Sequence, residues 1–246
     1  MKKNKITLNI FIRSLIIWVI MAMLSIVYCL LSILILGLPI KRRYDIMRHW
    51  GTIFIFLSKH LCKVNYIVKG DINTIKSPMI IVANHQSMWE TACFIQLLPR
   101  HSWVLKKEIL RIPFFGWGLI GLRPIAIDRS KRGQVTKQIY TQSQVAFKNG
   151  LCVLFFPEGT RAVPNTINPF KLGAFKLSKG LNIPIVPVIH NSGCVLPKGG
   201  FCIFPGNVEV IIEKPIFNIN HLTEEEIKDT VEKIIHNRYK TISQKD

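Results

Sequence analysis

With 246 residues and 49% hydrophobic composition, the chain can bury one good core plus a small appendage, which excludes two catalytic-sized domains. Its 33 basic and 14 acidic side chains leave a net charge of +19, but no zinc-ligand spacing, basic helix with heptads or aromatic RNA-binding pattern accompanies it, so nucleic acid is not the expected partner. Six cysteines without a C-x-x-C pair read as reduced core thiols of a cytosol-facing domain.

The first predicted element is apolar. Between Arg13 and Lys41 lie 27 residues without a charge, more than the roughly 20 that cross a hydrocarbon core as a helix. No small-residue cleavage site follows, so the segment is expected to be retained. Residues 44–64 carry a shorter apolar centre with Arg48, His49, Lys59 and Lys63 at its ends, the pattern of an interfacial helix. Together they predict a two-helix membrane anchor over 1–65, with the remaining chain, 66–246, as the main folded domain. Basic residues flank the first segment on both sides, Lys2, Lys3, Lys5 and Arg13 before it and Lys41, Arg42 and Arg43 after it. That symmetry gives no inside-outside bias and favours a hairpin immersed from one side, where anionic headgroups attract the charge.

Beyond residue 65, short β-rich runs alternate with helix-like segments, the signature of an α/β domain. Strands are predicted at 79–83, 102–105, 124–127, 152–156, 185–189 and 208–212, and helices at 88–98, 134–148 and 170–179. A final helix opens on the capping box Thr223-Glu224-Glu225-Glu226 and places Ile227, Val231, Ile234 and Ile235 on one face, for packing.

Three stretches carry possible chemistry. "NHQSMWE", 84–90, follows an apolar strand. On a continuous helix residues five apart are about 140° apart, so His85 and Glu90 meet only if the histidine precedes the helix. The competing reading is that Ser87 and Glu90 form a capping box in which the glutamate bonds backbone N–H instead.

"LKKEILRIPFFGWGLIGLRPIAIDR", 105–129, contains Gly116-x-Gly118-x-x-Gly121. A dinucleotide site would need a strand before this pattern and a helix opening on it, and Pro113 and the strand beginning near Ile125 leave no room for one. The glycines read instead as close packing near lipid or an acyl chain. "FPEGTR", 156–161, ends an apolar strand where ligands of α/β sheets tend to sit, and Arg161 there is suited to a phosphate, although a solvated surface turn fits the same residues.

Taken in order, "NHQSMWE", "KKEILRIPFFGWG" with "PIAIDR", "FPEGTR" and "IPIVPV" resemble the four blocks of the glycerophospholipid acyltransferases, with the greatest likeness to the bacterial 1-acyl-sn-glycerol-3-phosphate acyltransferases. The resemblance covers residues 79–190 and departs at one point: the usual His-x4-Asp is here His-x4-Glu. It implies a mixed sheet flanked by helices, an N-terminal hydrophobic hairpin and a membrane location with the catalytic domain on the cytoplasmic side, at the inner membrane if the source is bacterial.

The resemblance further implies acyl transfer from a coenzyme A or acyl carrier protein thioester, as co-substrate, to the sn-2 hydroxyl of lysophosphatidate. His85 would be the general base, oriented by Glu90, and Lys106, Arg129, Glu158, Gly159, Thr160 and Arg161 would bind the acceptor, with Lys107 a rival to Lys106. Glu158 would accept a hydrogen bond from a glycerol hydroxyl. No metal or other cofactor is expected, since His101, His190 and His221 stand isolated in the sequence. The alternatives are another lysolipid acceptor, such as lyso-ornithine lipid, or an inactive membrane-binding adaptor.

Overall fold

The computed structural model describes residues 5–243; Lys2 and Lys3 of the N-terminal basic cluster lie outside the described residues. Seven strands form one sheet: β1 (Val64–Lys69), β2 (Ile80–Ala83), β3 (His101–Lys106), β4 (Ile125–Ile127), β5 (Cys152–Phe155), β6 (Ile185–His190) and β7 (Gly206–Ile212). Their order is β1-β7-β6-β2-β5-β3-β4, with every neighbouring pair parallel except β6 and β7. It is the mixed α/β sheet that the sequence predicts.

The central strands are buried on both faces, as parallel strands under helices must be. In β2 the alternation divides one strand between two cores. Ile81 and Ala83 join the apolar cluster of α1 (Leu8–Leu34), α3 (His49–Cys62) and α4 (Met88–Leu97). Ile80 and Val82 join that of α6 (Val135–Lys148), α7 (Gly173–Leu181) and α8 (Glu224–Ser243).

The second apolar segment differs from its expectation. It breaks near Arg48 into α2 (Ile40–Met47) and α3, and α3 ends one residue before Lys63, which takes a left-handed φ of 56°. Val64 then begins β1, a strand the sequence did not announce. As an edge strand it exposes Ile67 and Val68, so no core-facing alternation marks it. Packing also claims α3: Phe54, Ser58 and Cys62 are buried, and Gly51 lies so close to α4 that a Cβ there would meet Ala92 O at 2.5 Å. Among the described residues only α1 is long and apolar enough to cross a membrane. Its outer side exposes Phe11, Leu15, Val19, Met23, Val27 and Leu30.

The expected absence of a helix at the glycine pattern is corrected. A short helix, α5 (Phe115–Ile120), forms there with Gly116 and Gly118 inside it and Gly121 as its C-cap; Gly118 and Gly121 pack it on α1, and Gly116 packs on Ile109 and Leu110. A Cβ on Gly118 would lie 3.5 Å from Cys29 Cα, and one on Gly121 would meet Ser32 Oγ at 2.2 Å. The close-packing reading of these glycines therefore holds. In α8 the predicted cap is present, Thr223 N donating to Glu226 Oε2 at 2.7 Å and Glu226 N to Thr223 Oγ1 at 3.2 Å. Its buried face is Ile227, Val231, Ile235, Tyr239 and Ile242, with Ile234 only partly buried.

Candidate active site

The site lies at the C-terminal ends of β2, β5, β3 and β4, where open α/β sheets present ligands. β2 stops at Ala83 because Asn84 turns its side chain to β6, donating from Nδ2 to His190 O at 2.8 Å and accepting from His190 N at 3.0 Å. The chain is then free to present His85 before α4 starts. Ser87 is the N-cap, its Oγ accepting from Trp89 N at 2.9 Å.

Both readings of Glu90 are true at once. His85 Nδ1 donates to Glu90 Oε1 at 2.8 Å, and the same carboxylate accepts from Gln86 N at 2.8 Å, Ser87 N at 2.8 and 2.9 Å, and Ser87 Oγ at 2.7 Å. Ser192 Oγ, from the turn after β6, adds a further donor at 2.6 Å. Glu90 is fully buried. Burial opposes its charge, but the imidazole of His190, the bond and charge of His85 and the bond from Ser192 outweigh that and hold the carboxyl well below the usual carboxylate range.

With Nδ1–H committed to Glu90, the lone pair of His85 is on Nε2. The side chain is 17% exposed and stacks on Phe156, ring centroids 4.2 Å apart. Its backbone is clamped as firmly as its ring: His85 N donates to Glu158 Oε1 at 2.7 Å, and Ala162 N donates to His85 O at 2.7 Å. The histidine and the "FPEGTR" loop are thus one unit.

His190 is not isolated, contrary to its sequence reading. It is buried behind Glu90, Nε2 donating to Asn84 O at 2.7 Å and Nδ1 lying 3.0 Å from Ser192 Oγ. Burial pushes its pKa down despite the pull of Glu90, and its Nδ1 accepts from Ser192 N at 3.4 Å. Its signal in the sequence, a histidine followed by Asn-Ser at a strand end, becomes readable only once β6 is known to pair with β2.

Glu158 faces inward. Its second oxygen accepts from Asn168 N at 2.7 Å, so both oxygens are occupied by backbone N–H groups. Burial raises its pKa to about 7, more than those two bonds lower it. Gly159 is where only glycine fits, with φ of 70° and Lys171 Nζ at 2.7 Å from where a Cβ would stand. Thr160 is exposed, and Arg161 is half-buried with no ion pair among the described residues.

Around this loop the cations sort themselves. Lys107 Nζ is 2.5 Å from Asp128 Oδ2, a bond that, with those from Ser130, holds Asp128 well below its ordinary range. Lys106 has no such partner among the described residues. Arg129 Nη1 donates to Gly159 O at 3.2 Å. Lys171, which the sequence reading assigned to a helix, instead lies in the loop before α7, its N–H bonded to Pro157 O at 3.0 Å. Its pKa is depressed by burial and then by the neighbouring charges of Arg129 and Lys106. Lys106, Arg129 and Lys171 thus form a cationic cluster at Gly159. α8 contributes beyond packing, since Tyr239 OH accepts from Gln86 Nε2 at 2.5 Å and from Asn165 N at 3.0 Å.

An imidazole hydrogen-bonded to a buried carboxylate, with cations beside it, is chemically able to take a proton from a hydroxyl on an anionic molecule. The acyltransferase family model matches residues 63–191, which include all of these groups except Tyr239 and Ser192. The chain belongs to the acyltransferase family and is an acyltransferase. Within it, the chain is a member of the 1-acyl-sn-glycerol-3-phosphate acyltransferases. It is 36% identical over 203 residues, 82% of this chain and 79% of the relative, to the 1-acyl-sn-glycerol-3-phosphate acyltransferase of Pseudomonas aeruginosa. It is 34% identical to that of Saccharomyces cerevisiae over 185 residues, 74% of this chain and 61% of the relative. The fold matches the crystal structure of the 1-acyl-sn-glycerophosphate acyltransferase PlsC of Thermotoga maritima with a TM-score of 0.81 at 21% identity, covering 96% of both chains.

Proposed function

We propose that the protein transfers a fatty acyl group from a coenzyme A or acyl carrier protein thioester to the sn-2 hydroxyl of 1-acyl-sn-glycerol-3-phosphate, giving phosphatidate. The observation that carries the reading is the 2.8 Å bond from His85 Nδ1 to Glu90, which leaves Nε2 as the base on a partly exposed ring. A hydroxyl is a weak nucleophile at neutral pH. Nε2 takes its proton as the oxygen attacks the thioester carbonyl, the C–O bond forms, the C–S bond breaks, and the departing thiolate recovers the proton from the imidazolium. Glu90, kept ionised, stabilises that imidazolium and holds the tautomer.

Transfer is direct in this reading. Ser87 is held in bonds to Glu90 and Trp89 N, and Cys93 is fully buried, its thiol kept protonated by burial and then by the charge of Glu90. Lys106, Arg129, Arg161 and Lys171 would hold the acceptor phosphate through charge-assisted bonds. Lys107 is assigned to Asp128, and Glu158 to positioning His85 rather than to a glycerol hydroxyl. The exposed apolar side of α1, continued by Phe114, Trp117 and Ile120, would lie in the membrane, with the catalytic domain on its cytoplasmic side.

The test is acyl transfer by the detergent-purified protein, with long-chain acyl-CoA and acyl-loaded carrier protein as donors and a panel of lysolipids as acceptors. Phosphatidate formation with lysophosphatidate preferred is expected. A preference for lyso-ornithine lipid or a neutral lysolipid would overturn the acceptor assignment, and no transfer to any acceptor would overturn the enzymatic one.

A further inference from the structure

The sheet has a second cationic corner, at the opposite end from the chemistry. Arg43, in the first turns of α2, is 4% exposed, yet its guanidinium makes no hydrogen bond to any described residue, and its Nε is sealed from solvent without a partner. Buried arginines are ordinarily paired, because an uncompensated buried charge is expensive. The one acid in α2 does not serve it: Asp45 is held by Arg100, Oδ1 to Nε at 2.9 Å and Oδ2 to Nη2 at 2.7 Å. Its electrostatic neighbour is another cation, Arg123, which together with burial lowers the pKa of Arg43.

Arg123 also lines a cavity of about 320 Å³. Ile40, one turn before Arg43, lines it, as do Ser102, Gln142 and Asn149. Ser102 is in the first half of β3, and Arg123 precedes β4, so the cavity opens at the N-terminal edge of the sheet, whereas His85 stands at the C-terminal edge. Lys41 reaches the same place. Its Nζ lies 3.0 Å from where a Cβ of Gly150 would be, between Asn149 and Leu151, which both line the cavity. The first turn of α2 also holds Lys41, Arg42 and Arg43 with no acid and no side-chain cap, the reverse of what a helix N-terminus prefers unless an anion is present.

We propose that Arg43, Arg123 and Lys41 form a second anion site, taking a phosphate group, distinct from the acceptor site at Gly159. An almost fully buried arginine without a counter-charge and a second arginine at a cavity whose wall, mainly apolar, also carries Ser102, Gln142 and Asn149 are what a lipid phosphate would complete. Its surroundings favour a lipid headgroup over a free phosphate as the source. Arg123 follows the exposed Trp117 and Ile120 of α5 by six and three residues, and α2 follows the exposed Leu34 and Leu36 at the end of α1. Both arginines thus stand where the apolar surface gives way to polar surface, the level at which headgroups lie. The site would fasten the enzyme to anionic membrane.

The test uses the full-length protein, vesicles of phosphatidylcholine with and without phosphatidylglycerol, and inorganic phosphate. The double variant Arg43→Met with Arg123→Gln is compared with Lys5→Gln and Arg42→Gln, which removes the same charge from exposed positions flanking α1. We expect the first pair to cut the preference for phosphatidylglycerol vesicles about tenfold and the second pair by less than twofold. Equal losses would mean diffuse attraction to the surface and would overturn the site.

In the second arm, inorganic phosphate is compared with chloride at matched ionic strength in neutral detergent. If phosphate raises the wild-type Tm, and Arg43→Met removes part of that rise without any change in vesicle preference, the site stands with a soluble phosphate as its source. If neither phosphate nor phosphatidylglycerol distinguishes wild type from the first pair, there is no site. Arg43→Met alone should melt no lower than wild type in phosphate-free detergent, since it removes an unpaired buried charge. Should that variant fail to fold, the exposed Arg123→Gln carries the same comparisons. Acyl transfer to detergent-dispersed acceptor should be unchanged in these variants, so loss of this site and loss of the proposed activity are separable.

Discussion

Glu90, in the first turn of α4, and Glu158, just past the end of β5, are both buried and both bonded to His85, and their pKa values are shifted in opposite directions. Glu90 takes the imidazole N–H and is surrounded by donors from Gln86, Ser87 and Ser192. Glu158 takes the backbone N–H of the same histidine and has one other donor, Asn168 N. The first is kept ionised below the usual carboxylate range, and the second is pushed up to about 7. Burial alone therefore does not set the charge of an acid. The imidazoles beside it and the donors it receives do, and a carboxylate so surrounded can orient an imidazole and stabilise its positive charge.

The comparison breaks most visibly at the residue the two acids share. His85→Ala should lower kcat for acyl transfer about a thousandfold, the ordinary worth of a general base, while leaving the melting transition cooperative. Near-wild-type turnover would remove His85 from the chemistry and make both acids structural.

The opposite pKa shifts can be read as stability against pH. The raised pKa of Glu158 means that the folded protein binds a proton which the unfolded chain releases above about 4.5, so stability attributable to this group falls as pH rises from about 4.5 to about 7 and is level beyond. Glu90 runs the other way, its contribution present above about pH 4.5 and lost on acidification. The melting temperature of Glu158→Gln relative to wild type should therefore climb across that window, by an amount equivalent to about 3 kcal/mol at most. A flat difference would mean that Glu158 is ionised like Glu90 and that the contrast is false.

Glu90→Gln separates capping from catalysis. It should reduce kcat about a hundredfold as well as lowering Tm, because an amide cannot replace all the acceptor positions or stabilise an imidazolium. Ser87→Ala, which removes the N-cap but leaves the His85 bond, should cost about 1 kcal/mol of stability and little of kcat. If the two variants lose activity in step, Glu90 works only as a cap.

The smallest effect is at the cation cluster, where Lys171→Ala and Arg161→Ala should each raise KM for lysophosphatidate about tenfold with kcat less affected, and should leave a neutral lysolipid acceptor nearly untouched. Equal losses on both acceptors would argue that these side chains shape the loop rather than hold phosphate.

Much of this arrangement was legible in the chain. Every strand predicted beyond residue 65 is present within two residues of its expected ends, because β2, β5 and β6 are apolar runs bounded by turn residues. The spacing of His85 and Glu90 required the histidine to precede a helix, and it does. What periodicity could not supply was anything decided by a distant partner. β1 has no buried alternation and exists because β7 pairs with it. α5 is too short to show a period and is held by glycine packing on α1.

Composition, apolar patterning and the local spacing of His85, Glu90 and the "FPEGTR" loop determined the fold class, the family likeness and the candidate site, because those depend on residues near one another in the chain. Tertiary structure alone decided which cations are free and which acids are charged. Lys107 is neutralised by a residue 21 positions away, Lys171 reaches Gly159 only through a loop bonded to Pro157, and Glu90 owes its final donor to Ser192, 102 positions distant. Charge state and hydrogen-bond commitment are properties of neighbours in space, and sequence spacing fixes such neighbours only within a turn or two of helix or strand.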